Sequence, residues 1–89
     1  MFSIKYSKES LAQIKKIHNK KVLAKIEKIV LEISTNPYSP THKFERLKNN
    51  LSGYCSKRLD QKNRIIYQVI DQKIIVIVVS ILGHYEQKP

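Results

Sequence analysis

The chain has 89 residues, of which 42% are hydrophobic and 27% are charged. A chain this short closes only one hydrophobic core, which excludes a second domain, so residues 1–89 are expected to form a single globular domain. Seventeen lysines and arginines against seven acidic residues give a net charge of +10, which favours a polyanionic partner and disfavours a cationic one.

The few cysteines and histidines exclude several kinds of site. A single cysteine, Cys55, rules out an internal disulfide framework. No cysteines and histidines cluster at metal-ligand spacing, so we expect no structural zinc and no cofactor. The first residues lack the apolar middle of a signal peptide, and the longest apolar run, residues 74–79, is far shorter than the ~20 residues of a membrane span. These absences predict a cytoplasmic protein that does not enter the membrane.

The first part of the chain predicts a short strand followed by two helices. Apolar and polar residues alternate in FSIKYS, residues 2–7, which is the period of a half-buried strand. Apolar residues then recur at helical spacing in a first helix, which Ser7 or Ser10 can cap. A second helix has apolar residues on one side and lysines on the other, and Asn36 and Pro37 end it. The two helices are predicted to form a hairpin.

The second part of the chain predicts a sheet. NPYSPTHK, residues 36–43, is a loop because its two prolines disfavour both helix and sheet. Strands are predicted in ERLK, residues 45–48, in GYCSKRLD, residues 53–60, and in RIIYQVID, residues 64–71. The last strand, KIIVIVVSIL at residues 73–82, is apolar on both faces, which is typical of a strand that is covered on both sides or paired at both edges.

The turn between the two middle strands decides which side chains share a face, since a shift of one residue reverses every side chain. A two-residue loop would mix charged and core residues on both faces. A three-residue loop at residues 61–63 segregates them, and it pairs Asp60 with Arg64. One face then packs on the helices and includes Cys55 and Lys57. The other face is predicted to present to solvent Tyr54, Ser56, Arg58, Arg64 and Gln68.

Arginine on that face is informative because the chain has fourteen lysines and only three arginines. A guanidinium group can bind a phosphate through two parallel hydrogen bonds, which an ammonium group cannot. The arginines therefore indicate a phosphate-binding surface. The alternative is that Arg58 and Arg64 are surface residues that balance Asp60 and Glu45.

Two further residues could turn such a surface into a cleavage site. Cleavage of RNA through the ribose 2′-hydroxyl needs a base, cations to stabilise the developing charge and an acid for the leaving oxygen. Glu45, among Lys43, Arg46 and Lys48, is a candidate base, and His84, after the last predicted strand, is a candidate acid. The alternative is that Glu45 forms a surface ion pair and that His84 is solvated.

The stretch ERLKNNLSGYCSKRLDQKNRIIYQV, residues 45–69, together with GHY at residues 83–85, resembles the YoeB/Txe toxins of bacterial toxin–antitoxin modules. These toxins belong to the wider RelE-like group. The spacing LxxNLSGxxSxRxxxxxRxxY from Leu47 to Tyr67 is long and specific, and the likeness covers nearly the whole chain. The resemblance implies a small α+β fold, in which an antiparallel sheet packs on an N-terminal helix hairpin in the order β-α-α-β-β-β.

The resemblance also implies an endoribonuclease that cuts messenger RNA in the ribosomal A site without metal, leaving a 2′,3′-cyclic phosphate and a 5′-hydroxyl. Matching positions make Glu45 the general base and His84 the general acid, with Tyr85 orienting or contacting the substrate. The cations that the resemblance implies are Arg64, Arg58 and Lys48. Two further basic residues of the same stretch are predicted to bind RNA, namely Lys57 and Arg46.

The partners implied by the resemblance are messenger RNA, the ribosome and an acidic antitoxin that covers the basic face, and a homodimer is compatible with it. The chain departs from many relatives at Cys55, at Leu82 and in the tail that begins with Glu86. Two other functions remain open at this point. The chain could be a non-catalytic module that binds RNA or the ribosome, or a domain that binds only an acidic protein.

Overall fold

The computed structural model describes the backbone of residues 1–79 and the side chains of residues 1–76. One strand precedes two helices, and four strands follow them along the chain. A single 3₁₀ turn, Asn49–Leu51, lies between the second and third strands. The elements are β1 (Ser3–Tyr6), α1 (Lys8–Lys15), α2 (Lys20–Thr35), β2 (Glu45–Arg46), β3 (Tyr54–Arg58), β4 (Arg64–Ile70) and β5 (Lys73–Val79). No helix within residues 1–79 has the length and apolar character needed to cross a membrane.

Side-chain caps fix where both helices begin. The Ser7 hydroxyl oxygen accepts a hydrogen bond from the amide of Ser10 at 3.0 Å at the start of α1. The Asn19 side chain accepts hydrogen bonds from the amides of Lys21 and Val22 at the start of α2. These contacts satisfy amide groups that have no partner within the helix. α2 ends at Thr35, two residues before Pro37, as the sequence predicts.

The five strands form one mixed sheet in the order β1-β5-β4-β3-β2. Neighbours are antiparallel except at one edge, where β1 runs parallel to β5. The predicted antiparallel arrangement is confirmed for β2 to β5. β1 differs from it, because a long connection separates β1 from β5 along the chain and allows the two strands to run parallel. The predicted strand ERLK is reduced to two residues and adds a fifth strand at the other edge. β5 is paired on both sides, as its apolar character predicts.

The loop between β3 and β4 has three residues, as predicted, but it begins one residue earlier in the chain. The amide of Leu59 donates to the carbonyl oxygen of Asn63 at 2.9 Å, so the three-residue loop contains residues 60–62. The Asp60 carboxylate accepts hydrogen bonds from the amides of Lys62 and Asn63, each at 2.9 Å. An aspartate that binds backbone amides two and three residues ahead is a strong turn former. It closes the turn one residue earlier than the loop predicted at residues 61–63.

This shift changes every cross-strand pair between β3 and β4. Arg58 lies opposite Arg64, so the predicted pairing of Asp60 with Arg64 was wrong. The register differs from the predicted one by two residues, and side chains alternate with a period of two. Each side chain therefore keeps the face that the sequence predicted for it.

The core lies between α2 and one face of the sheet. It is built from alternate residues of the strands and from one side of α2, as helical and strand periodicities require. Cys55 is buried with 4% of its surface exposed, as expected from its predicted inward position. The cluster consists of Ile26, Ile29, Val30, Ile33, Cys55, Leu59, Ile65, Tyr67, Ile74 and Val76.

Tyr67 joins this core to the loop after α2 through its hydroxyl group, and a variant without that hydroxyl tests the contact. The side chain is fully buried, and its hydroxyl donates to the carbonyl oxygen of Pro37 at 2.5 Å. Burial raises the pKa of Tyr67 above its usual range. Tyr67→Phe leaves the buried carbonyl without its donor, so we expect the free energy of unfolding to fall by about 1–3 kcal/mol. Urea denaturation measures this change.

The matched control for this prediction is Tyr38→Phe, since the side chain of Tyr38 is 42% exposed. Loss of an exposed hydroxyl is expected to change the free energy of unfolding by no more than about 0.5 kcal/mol. Equal denaturation midpoints for Tyr67→Phe and the parent protein would show that the bond to Pro37 adds no stability.

Candidate functional site

A cavity of about 340 Å³ lies on the sheet face opposite the core. β3 and β4 contribute the alternate side chains that point away from α2, and the chain entering β2 contributes the rest. Ser56 is 3% exposed, so the prediction that this residue faces solvent was wrong, and it lies at the base of the cavity. The lining residues are Lys43, Phe44, Glu45, Ser56, Arg58 and Arg64.

Two arginines face each other across the cavity floor. Arg58 of β3 pairs with Arg64 of β4, and like charges that lie directly opposite destabilise an antiparallel sheet. Both side chains are partly exposed. An anion held between the two guanidinium groups would remove this repulsion and could accept hydrogen bonds from both. The pair is therefore suited to bind a phosphate.

One carboxylate lies beside the arginine pair. Glu45 is the cross-strand neighbour of Ser56, and Arg58 follows Ser56 by two residues on the same face. A residue in this diagonal relation lies about 7–8 Å away between α carbons, which long side chains can span. The cavity therefore combines a group that can accept a proton with two groups that can stabilise negative charge.

The structure brings together only some of the residues predicted from the sequence. Glu45, Arg58 and Arg64 line the cavity. Lys48 is exposed just before the 3₁₀ turn and is not part of the lining. His84 and Tyr85, together with Leu82 and Glu86, lie outside the described residues.

Arg46 lies on the opposite sheet face from Glu45, because consecutive strand residues alternate. It pairs with the core residue Cys55, and its guanidinium carbon is 4.5 Å from the ring centre of Tyr38. A guanidinium group over an aromatic ring forms a favourable cation–π contact. Arg46 therefore does not join the arginine pair in the cavity, and its role in RNA binding stays a prediction.

Lys57 also lies away from the cavity, because it is completely buried on the core face. Its ammonium group donates to the main-chain oxygens of Ser39 and Thr41, each at 2.9 Å, and to their hydroxyl oxygens at 3.1 and 3.0 Å. Burial lowers the pKa of Lys57, while the Glu32 carboxylate opposes this change. A buried ammonium group cannot contact RNA, so the RNA-binding role predicted for Lys57 is not compatible with this position.

The two residues that precede Phe44 and Glu45 have an unusual backbone conformation. His42 and Lys43 both have positive φ angles, 55° and 52°. The left-handed conformation costs about 1–2 kcal/mol for each residue that carries a side chain. Backbone strain of this kind is common at functional sites. Neither residue is glycine or asparagine, so the sequence gives little indication of this conformation. From the sequence, Lys43 is named only as a basic neighbour of Glu45, and Phe44 has no predicted role.

Comparison with known protein families gives a match over most of the chain. Residues 6–85 match the model for the YoeB-like toxin of bacterial type II toxin-antitoxin system. The chain is 34% identical over 70 residues to Toxin YoeB of Synechocystis sp., with 79% of each chain covered. It is 31% identical over 58 residues to Toxin YoeB of Escherichia coli, which covers 65% of this chain and 69% of that protein.

Solved structures with the same fold agree with these matches. The YoeB dimer from Staphylococcus aureus superposes with a TM-score of 0.80 at 29% identity, covering 89% of this chain and 94% of that one. In the heterotetrameric YoeB-YefM complex from the same organism, the matched chain gives a TM-score of 0.81 at 29% identity, with coverages of 90% and 95%. The E. coli RelBE toxin-antitoxin complex matches at 20% identity with a TM-score of 0.71, which shows a shared fold alone.

Proposed function

The chain belongs to the YoeB-like toxins of bacterial type II toxin–antitoxin systems, and we propose that its toxic activity is cleavage of messenger RNA in the ribosomal A site. The observation that carries this proposal is the cavity in which Glu45 lies beside the opposed pair Arg58 and Arg64. A base and cations that bind the phosphate are two of the three kinds of group that cleavage through the 2′-hydroxyl needs.

In the proposed reaction, the Glu45 carboxylate accepts the proton of the ribose 2′-hydroxyl. The 2′-oxygen then attacks the adjacent phosphorus, the bond from phosphorus to the 5′-oxygen breaks, and a 2′,3′-cyclic phosphate forms. Arg58 and Arg64 hold the non-bridging oxygens, where negative charge increases in the transition state. No step of this scheme assigns a role to a metal ion.

The remaining roles rest on the family resemblance. His84 is proposed to donate a proton to the departing 5′-oxygen, which then leaves as a hydroxyl group. Tyr85 is proposed to orient or contact the substrate, and Lys48 to bind a neighbouring phosphate of the RNA. With these assignments, His84 supplies the acid of the scheme and Lys48 supplies a third cation.

An antitoxin is the proposed protein partner of this chain. The Staphylococcus aureus relative assembles with YefM, and it also occurs as a dimer. We propose that an acidic segment of the cognate antitoxin covers the cavity of this chain, where it would neutralise Arg58 and Arg64. Attraction to a surface with a net charge of +10 should weaken as salt concentration rises.

Expression in a bacterium tests the proposed activity. Induction of the parent chain is expected to stop growth and to create new 5′-hydroxyl ends within messages, which sequencing of RNA 5′ ends detects. The double variant Glu45→Ala with Arg64→Ala should produce neither effect, because it removes the base and one cation. A double variant that is as toxic as the parent would contradict the proposed mechanism.

The matched control is Glu27→Ala with Lys28→Ala, which makes the same charge changes at exposed positions of α2. This variant is expected to remain as toxic as the parent and to create the same RNA ends. Growth arrest by the parent without new RNA ends would indicate instead a non-catalytic module that binds RNA or the ribosome.

A further inference from the structure

Two consecutive residues of β3 hold the segment that leads into the cavity. On the core face, the ammonium group of Lys57 donates to the main-chain oxygens of Ser39 and Thr41. From the backbone of the next residue, the amide of Arg58 donates to the carbonyl oxygen of His42 at 2.6 Å. Three carbonyl groups within four residues are thereby fixed to one strand.

A carboxylate on α2 holds the same segment from the other side. The Thr41 hydroxyl, which accepts from Lys57, donates to one oxygen of Glu32 at 2.8 Å. The other oxygen of Glu32 lies 3.3 Å from Nε2 of His42. Two hydrogen bonds lower the pKa of Glu32, of which the one from Thr41 has the larger effect and the one from His42 the smaller. The segment is therefore held between a buried cation and an anion that reaches it from the helix.

The contacts that β3 and Glu32 make with this segment end at His42, where the left-handed backbone begins. His42 and Lys43 are both left-handed, and such residues keep this conformation only when neighbouring contacts impose it. Phe44 then turns inward, with its ring centre 5.4 Å from the ammonium nitrogen of Lys57. Glu45 turns outward into the cavity. β2 has only two residues, so sheet pairing by itself gives the Glu45 backbone little support.

An apolar side chain would fill the place of Lys57 without the cost of burying a charge, which is high unless the charge is well paired. What lysine adds there is the set of four hydrogen bonds to Ser39 and Thr41. We propose that Lys57 is a positioning residue for the reaction, which fixes the Glu45 carboxylate beside Arg58 and Arg64 by holding the segment from Ser39 to His42. This inference rests on the proposed function.

Lys57→Met tests the proposal, because methionine has a similar length and no hydrogen-bond donor. Small displacements of a catalytic group reduce rate strongly, so we expect kcat for cleavage of ribosome-bound messenger RNA to fall about 10- to 100-fold. Binding of an RNA with a 2′-O-methyl group at the cleaved nucleotide should change by less than about threefold, since Arg58 and Arg64 remain in place.

Amide hydrogen exchange separates positioning from general destabilisation. In Lys57→Met, exchange at the Arg58 amide should accelerate at least about tenfold, while the amides of β4 keep their protection relative to global unfolding. The matched control is Ile74→Ala, which opens the core in β5, two strands away from β3. It is expected to lower the melting temperature while the folded protein keeps the parental kcat.

If Lys57→Met does not fold, Thr41→Val provides a milder test, because it removes the hydroxyl link to Glu32 and leaves Lys57 in place. Its expected effect is a loss of kcat of about three- to tenfold with unchanged RNA binding. Parental kcat in the folded Lys57 variant, or equal loss of kcat, binding and all amide protection, would overturn the positioning role. A parent protein that does not cleave at all would instead overturn the proposed function, and the exchange measurement would still show whether Lys57 holds the segment.

Discussion

Replacing Glu45 with glutamine is expected to lower the rate of messenger RNA cleavage about 10²- to 10⁴-fold, which is the usual contribution of a general base. Glutamine keeps the size and the hydrogen-bonding oxygen of the side chain but cannot accept the 2′-hydroxyl proton. Since the arginine pair is unchanged, binding of RNA should be retained. Single-turnover cleavage on programmed ribosomes, combined with binding of an RNA methylated at the 2′-oxygen, measures both quantities.

The matched control for this change is Glu27→Gln, which removes an exposed carboxylate from α2 and changes the net charge by the same amount. It should cleave at the parental rate. A Glu45→Gln protein that cleaves as fast as the Glu27→Gln protein would exclude Glu45 as the base, and the cavity would then have to act through its cations alone.

Replacing Arg64 with lysine should reduce the cleavage rate about 10²- to 10³-fold, although the positive charge is kept. A lysine places a single ammonium group at the phosphate, whereas the planar guanidinium group donates two parallel hydrogen bonds. Because these bonds strengthen as charge builds on the phosphate, the loss should appear mainly in kcat, with a smaller change in KM. Steady-state kinetics on ribosomes supplied with a short message distinguishes the two parameters.

Arg46→Lys makes the same chemical change on the other sheet face, over the ring of Tyr38. It should cleave within about threefold of the parental rate, because no reacting group lies near it. Parental rates in both variants would show that both arginines act only through their charge, whereas a loss in Arg46→Lys as large as that in Arg64→Lys would contradict the placement of Arg46 away from the reacting groups. The comparison therefore also tests the RNA-binding role that the sequence predicts for Arg46.

The sequence predicts the face of each strand residue more reliably than its partner across the sheet. Alternation in β3 and β4 is strong, because inward residues such as Ile65 and Tyr67 are apolar while Arg58 and Arg64 point outward. Cross-strand partners depend on which residue begins the turn, and the hydrogen bonds of the Asp60 side chain decide this. The true register, which sets arginine against arginine, makes a stronger case for phosphate binding than the predicted one.

Other features could not be read from local patterns because they depend on contacts between distant parts of the chain. The parallel pairing of β1 with β5 leaves no trace in the sequence of β1, which alternates as any half-buried strand does. The burial of Lys57 depends on the loop oxygens of Ser39 and Thr41, which meet it only in the folded molecule. The basic stretch consequently predicted too many RNA-binding residues, since charge says nothing about which side chains remain accessible.

The parallel edge of the sheet also sets the order in which a new chain can assemble. Residue 3 pairs with residue 73, and the amide of Ser7 and the hydroxyl of Ser10 both donate to the carbonyl oxygen of Val76. β1 and the start of α1 therefore lack these partners until β5 has left the ribosome, and pairings this distant along the chain slow folding. A protein proposed to stop translation can therefore pair its own first strand only after the ribosome has translated β5.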